Sequence, residues 1–254
     1  MSQVLEILKQ CTIEDNVLKL PDIKMERKLY QDVAKKIELI SGKWTKKVQG
    51  FVFEEGCLDY FEDICNGDSI NLKKEYQFFE TPEEVANMVA DLACYNWHET
   101  PSKTLKSRIL EPSAGKGALI KALKNYHNDI KIDCYEAFNV NVKYLQDNLS
   151  SNINYLGEDF LKANEDIKYD CIIMNPPFSK NAYIDHIMKA YSLLNKGGNM
   201  VAICPPSWQF NSSKKDKLFK QFVEDNNAEI IKLDKGAFKE SGTLVETCIL
   251  VINR

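Results

Sequence analysis

The spacing of apolar and polar positions changes character partway along the chain. Up to about residue 75 the period is helical. Val4, Leu5, Leu8 and Cys11 share one face, Leu29, Val33, Ile37 and Ile40 another that stops at Gly42, and Leu58, Phe61, Ile64 and Cys65 a third that stops at Gly67. This pattern predicts a small helical appendage over residues 1–75. A further helix is predicted from Thr81-Pro82-Glu83-Glu84, where Thr81 caps, Pro82 takes the first helical position and Glu84 closes a capping box. Val85, Met88, Val89 and Leu92 would form its buried stripe.

From Ser107 onward, short apolar runs alternate with amphipathic ones, which is the pattern of a parallel sheet covered on both faces. Strands are predicted at Arg108 to Glu111, Lys131 to Tyr135, Asn154 to Leu156, Tyr169 to Met174, Asn199 to Cys204, Glu229 to Leu233 and Leu244 to Ile252. The linker between the last two, Asp234 to Thr243, is too short for a crossover helix, so they should pair as an antiparallel hairpin. The expectation is an α/β domain over residues 76–254, with seven strands and the last one reversed.

Composition narrows the setting. With 254 residues and 44% apolar content, the chain can bury a substantial core. Its net charge of −4 leaves no global basic footprint, so contact with nucleic acid must come from local clusters of Lys and Arg. None of the eight cysteines form a C-x-x-C pair, and they read as small buried hydrophobes of a reducing cytoplasm. Three scattered histidines, His98, His127 and His186, give no zinc site, and no metal is expected. Met1 to Leu20 has no long apolar run, so neither a signal peptide nor a membrane span is expected.

Candidate chemistry lies at the carboxyl ends of the predicted strands. The fourth runs into Asn175-Pro176-Pro177-Phe178, a rigid turn in which two prolines fix φ and remove two backbone donors. Asn175 adds an amide oxygen and Phe178 a π face, a combination suited to holding a planar ring by its exocyclic amine. The first strand ends in Glu111-Pro112-Ser113-Ala114-Gly115-Lys116-Gly117, where small residues let a ligand approach the backbone. It is not a P-loop: no glycine stands five residues before Gly115, and Gly117 occupies the Ser/Thr position. A dinucleotide fingerprint fails at Ile120, yet Glu136, at the end of the second strand, stands where a carboxylate grips a ribose diol. The third strand ends in Gly157-Glu158-Asp159-Phe160-Leu161, so Asp159 can accept from an adenine amine and Phe160 can pack on its ring, with a turn cap as the alternative for Asp159.

Together with Phe78-Phe79-Glu80-Thr81-Pro82 and Phe238-Lys239-Glu240-Ser241-Gly242-Thr243, these motifs follow one another in an order that resembles S-adenosylmethionine-dependent N6-adenine DNA methyltransferases of phage and plasmid type. The resemblance covers residue 76 to the end. It implies a Rossmann-like methyltransferase fold with S-adenosylmethionine as cofactor. Gly115 and Gly117 would line its methionine part with Ser113 and Ala114, Glu111 would meet its amino group, Glu136 its ribose and Asp159 its adenine. Phe79, Thr81 and Pro82 would complete the pocket. Asn175 and the Pro176 carbonyl would hold the target amine, with Phe178 on the base. DNA is the implied partner, its adenine flipped out or single-stranded. Lys180, Lys214, Lys215, Lys217 and Lys220 are candidate backbone contacts and Trp208 and Phe210 candidate base contacts, the alternatives being a solvated helix face and core. The Asn-Pro-Pro-aromatic turn also leaves an RNA base methyltransferase, a protein glutamine methyltransferase and a non-catalytic cofactor-binding subunit open. Such DNA enzymes usually carry a long target-recognition region. The spare material here is the segment up to about Tyr76, where Lys43, Trp44, Lys46 and Lys47 are candidates for a nucleic-acid contact with a structural lid as the alternative, so a specificity partner or a homodimer is a further expectation.

Overall fold

The structure is a computed structural model describing residues 3–53, 56–68, 70–72, 80–94, 107–126, 130–239, 241 and 243–254. The chain divides into two compact units, Met1–Phe78 and Phe79–Arg254.

The first unit holds helices α1 (Gln3–Leu8), α2 (Arg27–Leu39) and α3 (Phe61–Asn66) and short strands β1 (Thr12–Glu14), β2 (Val17–Lys19), β3 (Lys43–Thr45) and β4 (Gly50–Val52). The strands form an antiparallel sheet in the order β1-β2-β4-β3. The appendage is therefore not purely helical, as its periodicity suggested. Each strand is three residues long, too short for alternation to register. The predicted stripe of α2 is real: Val33, Ile37 and Ile40 are fully buried, as are Leu8, Leu18 and Ile64. Gly42 is needed for closeness, because a Cβ there would lie 2.6 Å from Ile37 Cγ2 and 2.7 Å from the Phe53 ring.

The second unit opens with α4 (Glu83–Cys94) and continues β5 (Ile109–Glu111), α5 (Ala118–Lys124), β6 (Ile132–Tyr135), α6 (Asn139–Leu149), β7 (Ile153–Gly157), β8 (Tyr169–Met174), α7 (Ala182–Leu193), β9 (Leu194–Cys204), α8 (Lys214–Asp225), β10 (Glu229–Lys232) and β11 (Cys248–Asn253). Seven strands form one sheet in the order β10-β11-β9-β8-β5-β6-β7, with β5 to β9 parallel and β11 antiparallel to both neighbours. The expected hairpin is present, although β11 starts at Cys248 rather than at Leu244. Its register with β10 ends at Lys232↔Cys248, and Leu244 is 75% exposed.

Side chains alternate across this sheet. Cys171 and Ile173 of β8 join Ile109, Val201 and Ile249 in a core with α4, α5 and α6, while Ile172 and Met174 join Leu110, Ala202 and Leu250 in a core with α7 and α8. With both faces covered, β8 reads as an apolar run from Cys171 to Met174. In α4 the buried face is Val85, Ala86, Val89, Ala90, Ala93 and Cys94, and the expected Met88 is instead 39% exposed. Strand order reverses at β5, which opens a crevice at the carboxyl ends of β5 and β8.

Candidate functional site

Two of the expected motifs meet at that edge. Asn175, first residue after β8, is half-buried and donates from Nδ2 to Thr81 Oγ1 at 3.0 Å, joining residues 94 apart in sequence. Pro176 is buried, while Pro177 and Phe178 are half-buried. The Phe178 ring stands edge-on to buried Tyr183, with centroids 6.2 Å apart. Thr81 is itself 8% exposed, and the residue before it, Glu80, accepts through its carbonyl from Ser241 Oγ. A cleft of about 520 Å³ lies beside Thr81, between the start of α4 and α5, lined by Glu80, Thr81, Pro82, Glu83, Ala86, Asn87, Ala118, Lys121, Ala122, Asn125 and Ser241; Asn175, Glu111, Gly115, Gly117 and Glu136 are not among its lining residues. Of the expected cofactor residues, Thr81 and Pro82 line it. Phe79 lies outside the described residues.

The glycine loop turns sharply between β5 and α5. Gly115 and Gly117 have φ of 54° and 73°, and Gly117 N–H closes the turn on Ala114 O at 2.8 Å. A Cβ on Gly117 would lie 2.5 Å from Leu149 Cδ1, so glycine is required for both its φ and the contact with α6. Ala114 N–H donates to Tyr135 O, tying the loop to β6. Ser113 is half-buried in the same turn.

Glu136 organises this loop. Its Oε2 accepts from Gly115 N–H at 2.7 Å, and its Oε1 accepts from Phe138 N–H at 2.9 Å and Asn141 Nδ2 at 3.2 Å. Burial raises its pKa, and these three donors oppose the shift. The carboxylate thus already holds loop and helix together, leaving it part of its acceptor capacity for a ligand. Asn141, 1% exposed, escaped sequence reading; a lone amide between Val140 and Val142 on α6 was its one signal.

Glu111 is 2% exposed, and its Oε2 has no hydrogen-bond partner among the described residues. Burial first, and the Glu136 charge second, push its pKa well above the usual carboxylate value. A buried acceptor beside a glycine loop suits an ammonium donor brought by a ligand, as the methionine end of S-adenosylmethionine would bring.

Other expected residues are placed differently. Asp159 is exposed and committed locally: its side chain accepts from Leu161 N–H at 3.0 Å and pairs with Lys162 at 3.0 Å, and the Lys162 hydrogen bond lowers its pKa. It forms the turn cap that was its alternative. Phe160 is 2% exposed and packs edge-on to Tyr135 at 5.6 Å, so its ring is core rather than a platform for adenine. Trp208 is likewise core, 2% exposed and 5.3 Å from Phe219, and its indole is not placed to meet a base. Phe210, two residues on, is 83% exposed. Lys180 and Lys214 are exposed, whereas Lys215 is paired with Asp185 at 2.6 Å. His186 Nδ1 sits 3.0 Å from Ala182 O, and burial lowers its pKa, which marks it as structural. His98 and His127 lie outside the described residues. Among the described residues no group of His, Cys, Asp and Glu could hold a metal, and no helix is long and apolar enough to cross a membrane.

This arrangement has known counterparts. The curated Type II methyltransferase M.AccI of Acinetobacter calcoaceticus is 26% identical over 190 residues, covering 63% of this chain and 33% of that protein. The chain thus spans about a third of that relative's length. Among solved structures, a candidate class I S-adenosylmethionine-dependent methyltransferase from Listeria monocytogenes superposes with a TM-score of 0.57 at 16% identity, over 99% of this chain and 79% of that one. The type IIG restriction endonuclease BpuSI gives a TM-score of 0.57 at 17% identity, over 80% and 30%. A candidate RNA methyltransferase from Pyrococcus horikoshii gives 0.52 at 16% identity, over 70% and 88%. The methyltransferase small domain family matches residues 83–231, more than half of the chain, from α4 through β10. With that match spanning the glycine loop, Glu136 and the Asn-Pro-Pro-Phe turn, the chain belongs to the methyltransferase small domain family, whose methyl donor is S-adenosylmethionine.

Proposed function

We propose that this chain transfers a methyl group from S-adenosylmethionine to the exocyclic N6 amine of adenine in DNA. The observation that carries this reading is the half-buried Asn175 amide at the tip of β8, held by Thr81 at the crevice edge where the sheet order reverses. When bound, the cofactor supplies an electrophilic methyl carbon on a sulfonium. The protein's task is to make a poor nucleophile able to take it. An adenine amine has its lone pair delocalised into the ring. Asn175 Oδ1 and the Pro176 carbonyl, accepting its two hydrogens, favour a pyramidal nitrogen and stabilise the positive charge that grows there as the N–C bond forms and the S–C bond breaks. The alkylated nitrogen then sheds one proton to solvent. Phe178, half-buried at the same turn, would stack on the base and fix the angle of approach.

Glu111, Gly115 and Gly117 are assigned to the methionine end of the cofactor and Glu136 to its ribose. Asp159 would have to trade its Lys162 partner for the adenine, and exposure of that pair makes the exchange inexpensive. Stacked, paired adenine must be flipped or single-stranded to reach the turn. Exposed Lys180 and Lys214 would steady its backbone, and Lys215 would have to release Asp185 first.

DNA as the substrate is supported by the kinship with M.AccI, a Type II methyltransferase, and by the fold shared with a type IIG restriction endonuclease. RNA is the second arm of the test, since a candidate RNA methyltransferase shares the fold as well. Incubation with methyl-labelled cofactor and DNA, RNA or protein should label DNA. Label in RNA or protein alone would overturn the assignment of substrate.

A further inference from the structure

The hydroxyl of Thr81 touches the catalytic amide, a contact separate from its expected place in the cofactor pocket. An asparagine side chain is a donor at one end and an acceptor at the other, and its terminal torsion is soft. Only the oxygen end can receive an amine's hydrogens. An amide turned the other way would present N–H to N–H and repel the substrate. Here Nδ2 donates one of its two hydrogens to Thr81 Oγ1 at 3.0 Å, so the amide as it stands keeps Oδ1 available as an acceptor.

Thr81 is fixed independently of Asn175. It is 8% exposed, it precedes Pro82, whose carbonyl accepts the Ala86 N–H at the start of α4, and the carbonyl before it is held by Ser241 Oγ from the β10–β11 connection. Three separate segments of the second unit, around residues 80–86, 175 and 241, therefore converge on the orientation of one amide. We propose that Thr81 is a positioning residue for methyl transfer, acting through Asn175 to aim its oxygen at the substrate amine. This rests on the reading that Asn175 holds that amine.

Thr81→Val keeps the shape and removes the hydroxyl, and Thr81→Ser keeps the hydroxyl. With unmethylated plasmid DNA and methyl-labelled S-adenosylmethionine, both saturating, the single-turnover rate of Thr81→Val should fall on the order of 10- to 100-fold, as misplacement of a reacting group does. Calorimetric affinity for S-adenosylhomocysteine should fall by far less than the rate, because Thr81's place in the cofactor pocket bears on binding while its contact with Asn175 bears on kcat. Thr81→Ser should restore most of the rate, and Thr81→Val should cost little more once Asn175 is already Ala, because the two residues act as one unit. A parental rate in Thr81→Val, or a loss confined to S-adenosylhomocysteine affinity, or full additivity with Asn175→Ala, overturns the proposal. If Asn175→Ala is inactive while Thr81→Val is unaffected, the inference falls and the reading of the turn stands. If Asn175→Ala itself methylates at the parental rate, the reading of the turn falls first.

Discussion

Replacing Glu111 by Gln should change how both stability and cofactor binding depend on pH. Glu111 is 2% exposed, its Oε2 has no partner among the described residues, and burial together with the Glu136 charge raises its pKa well above 4.5. The folded state therefore holds this proton more tightly than the unfolded chain does. Below the unfolded value the contribution is fully present. Between the unfolded and folded values each pH unit removes about 1.4 kcal/mol of stability, and above the folded value the loss levels off. Glu136 has the same sign, so the parent combines two such terms. Urea denaturation from pH 5 to 8 should show parental stability falling as pH rises, with a shallower fall in Glu111→Gln, since one titrating group is gone. Cofactor binding provides the second readout. An ammonium seated on Glu111 favours its carboxylate, so binding at a pH between the unfolded and folded values should release up to about one proton, read by calorimetry in buffers of different ionisation heat. Glu111→Gln should release almost none and bind more weakly. Identical pH slopes for parent and variant, with identical proton release, would refute the buried protonated carboxyl and its assignment to the cofactor.

Gly117→Ala should destabilise the protein by about 2–4 kcal/mol in chemical denaturation, combining the left-handed φ of 73° with a Cβ only 2.5 Å from Leu149 Cδ1; a change under about 0.5 kcal/mol would contradict the close packing of loop on α6. Trp208→Ala should cost about 3–5 kcal/mol of stability and leave the DNA affinity of the remaining folded protein unchanged, because the indole is core; a selective loss of DNA affinity would restore its role as a base contact. Lys214→Ala should weaken DNA binding uniformly across sequences and reduce the slope of log affinity against log salt by about 1; an unchanged slope removes Lys214 from the phosphate contacts.

Much of the second unit was legible because local pattern and global fold agree there. The double-sided burial of β8 produced the apolar run Cys171 to Met174, and the short Asp234 to Thr243 linker forced β10 and β11 antiparallel. The glycine loop was legible too, since Gly115 and Gly117 stand where positive φ is needed. What escaped depended on partners distant in sequence. Phe160 and Trp208 are aromatics at a sheet edge, and whether such a ring faces solvent or core is decided by Tyr135 and Phe219, which periodicity does not reveal. Asp159 was drawn to its neighbour Lys162 and the Leu161 N–H. The strand expected from Asn199 starts instead at Leu194, and it takes up Gly197 and Gly198 in a register irregularity against β8 that alternation does not signal. The Thr81–Asn175 bond spans 94 residues, and no single-sequence signal links its ends.

Methyl transfer as proposed depends on oxygen acceptors at the tip of β8 holding a nucleobase amine. Its most direct test is single-turnover methyl transfer to unmethylated DNA by the parent and by Asn175→Ala, both shown by calorimetry to bind cofactor, with the product base identified by mass spectrometry. The parent should yield N6-methyladenine and the variant a rate lower by at least about 100-fold, the loss expected when a transition-state hydrogen-bond partner is removed. Equal rates, or a methylated product other than N6-methyladenine, would contradict that proposal.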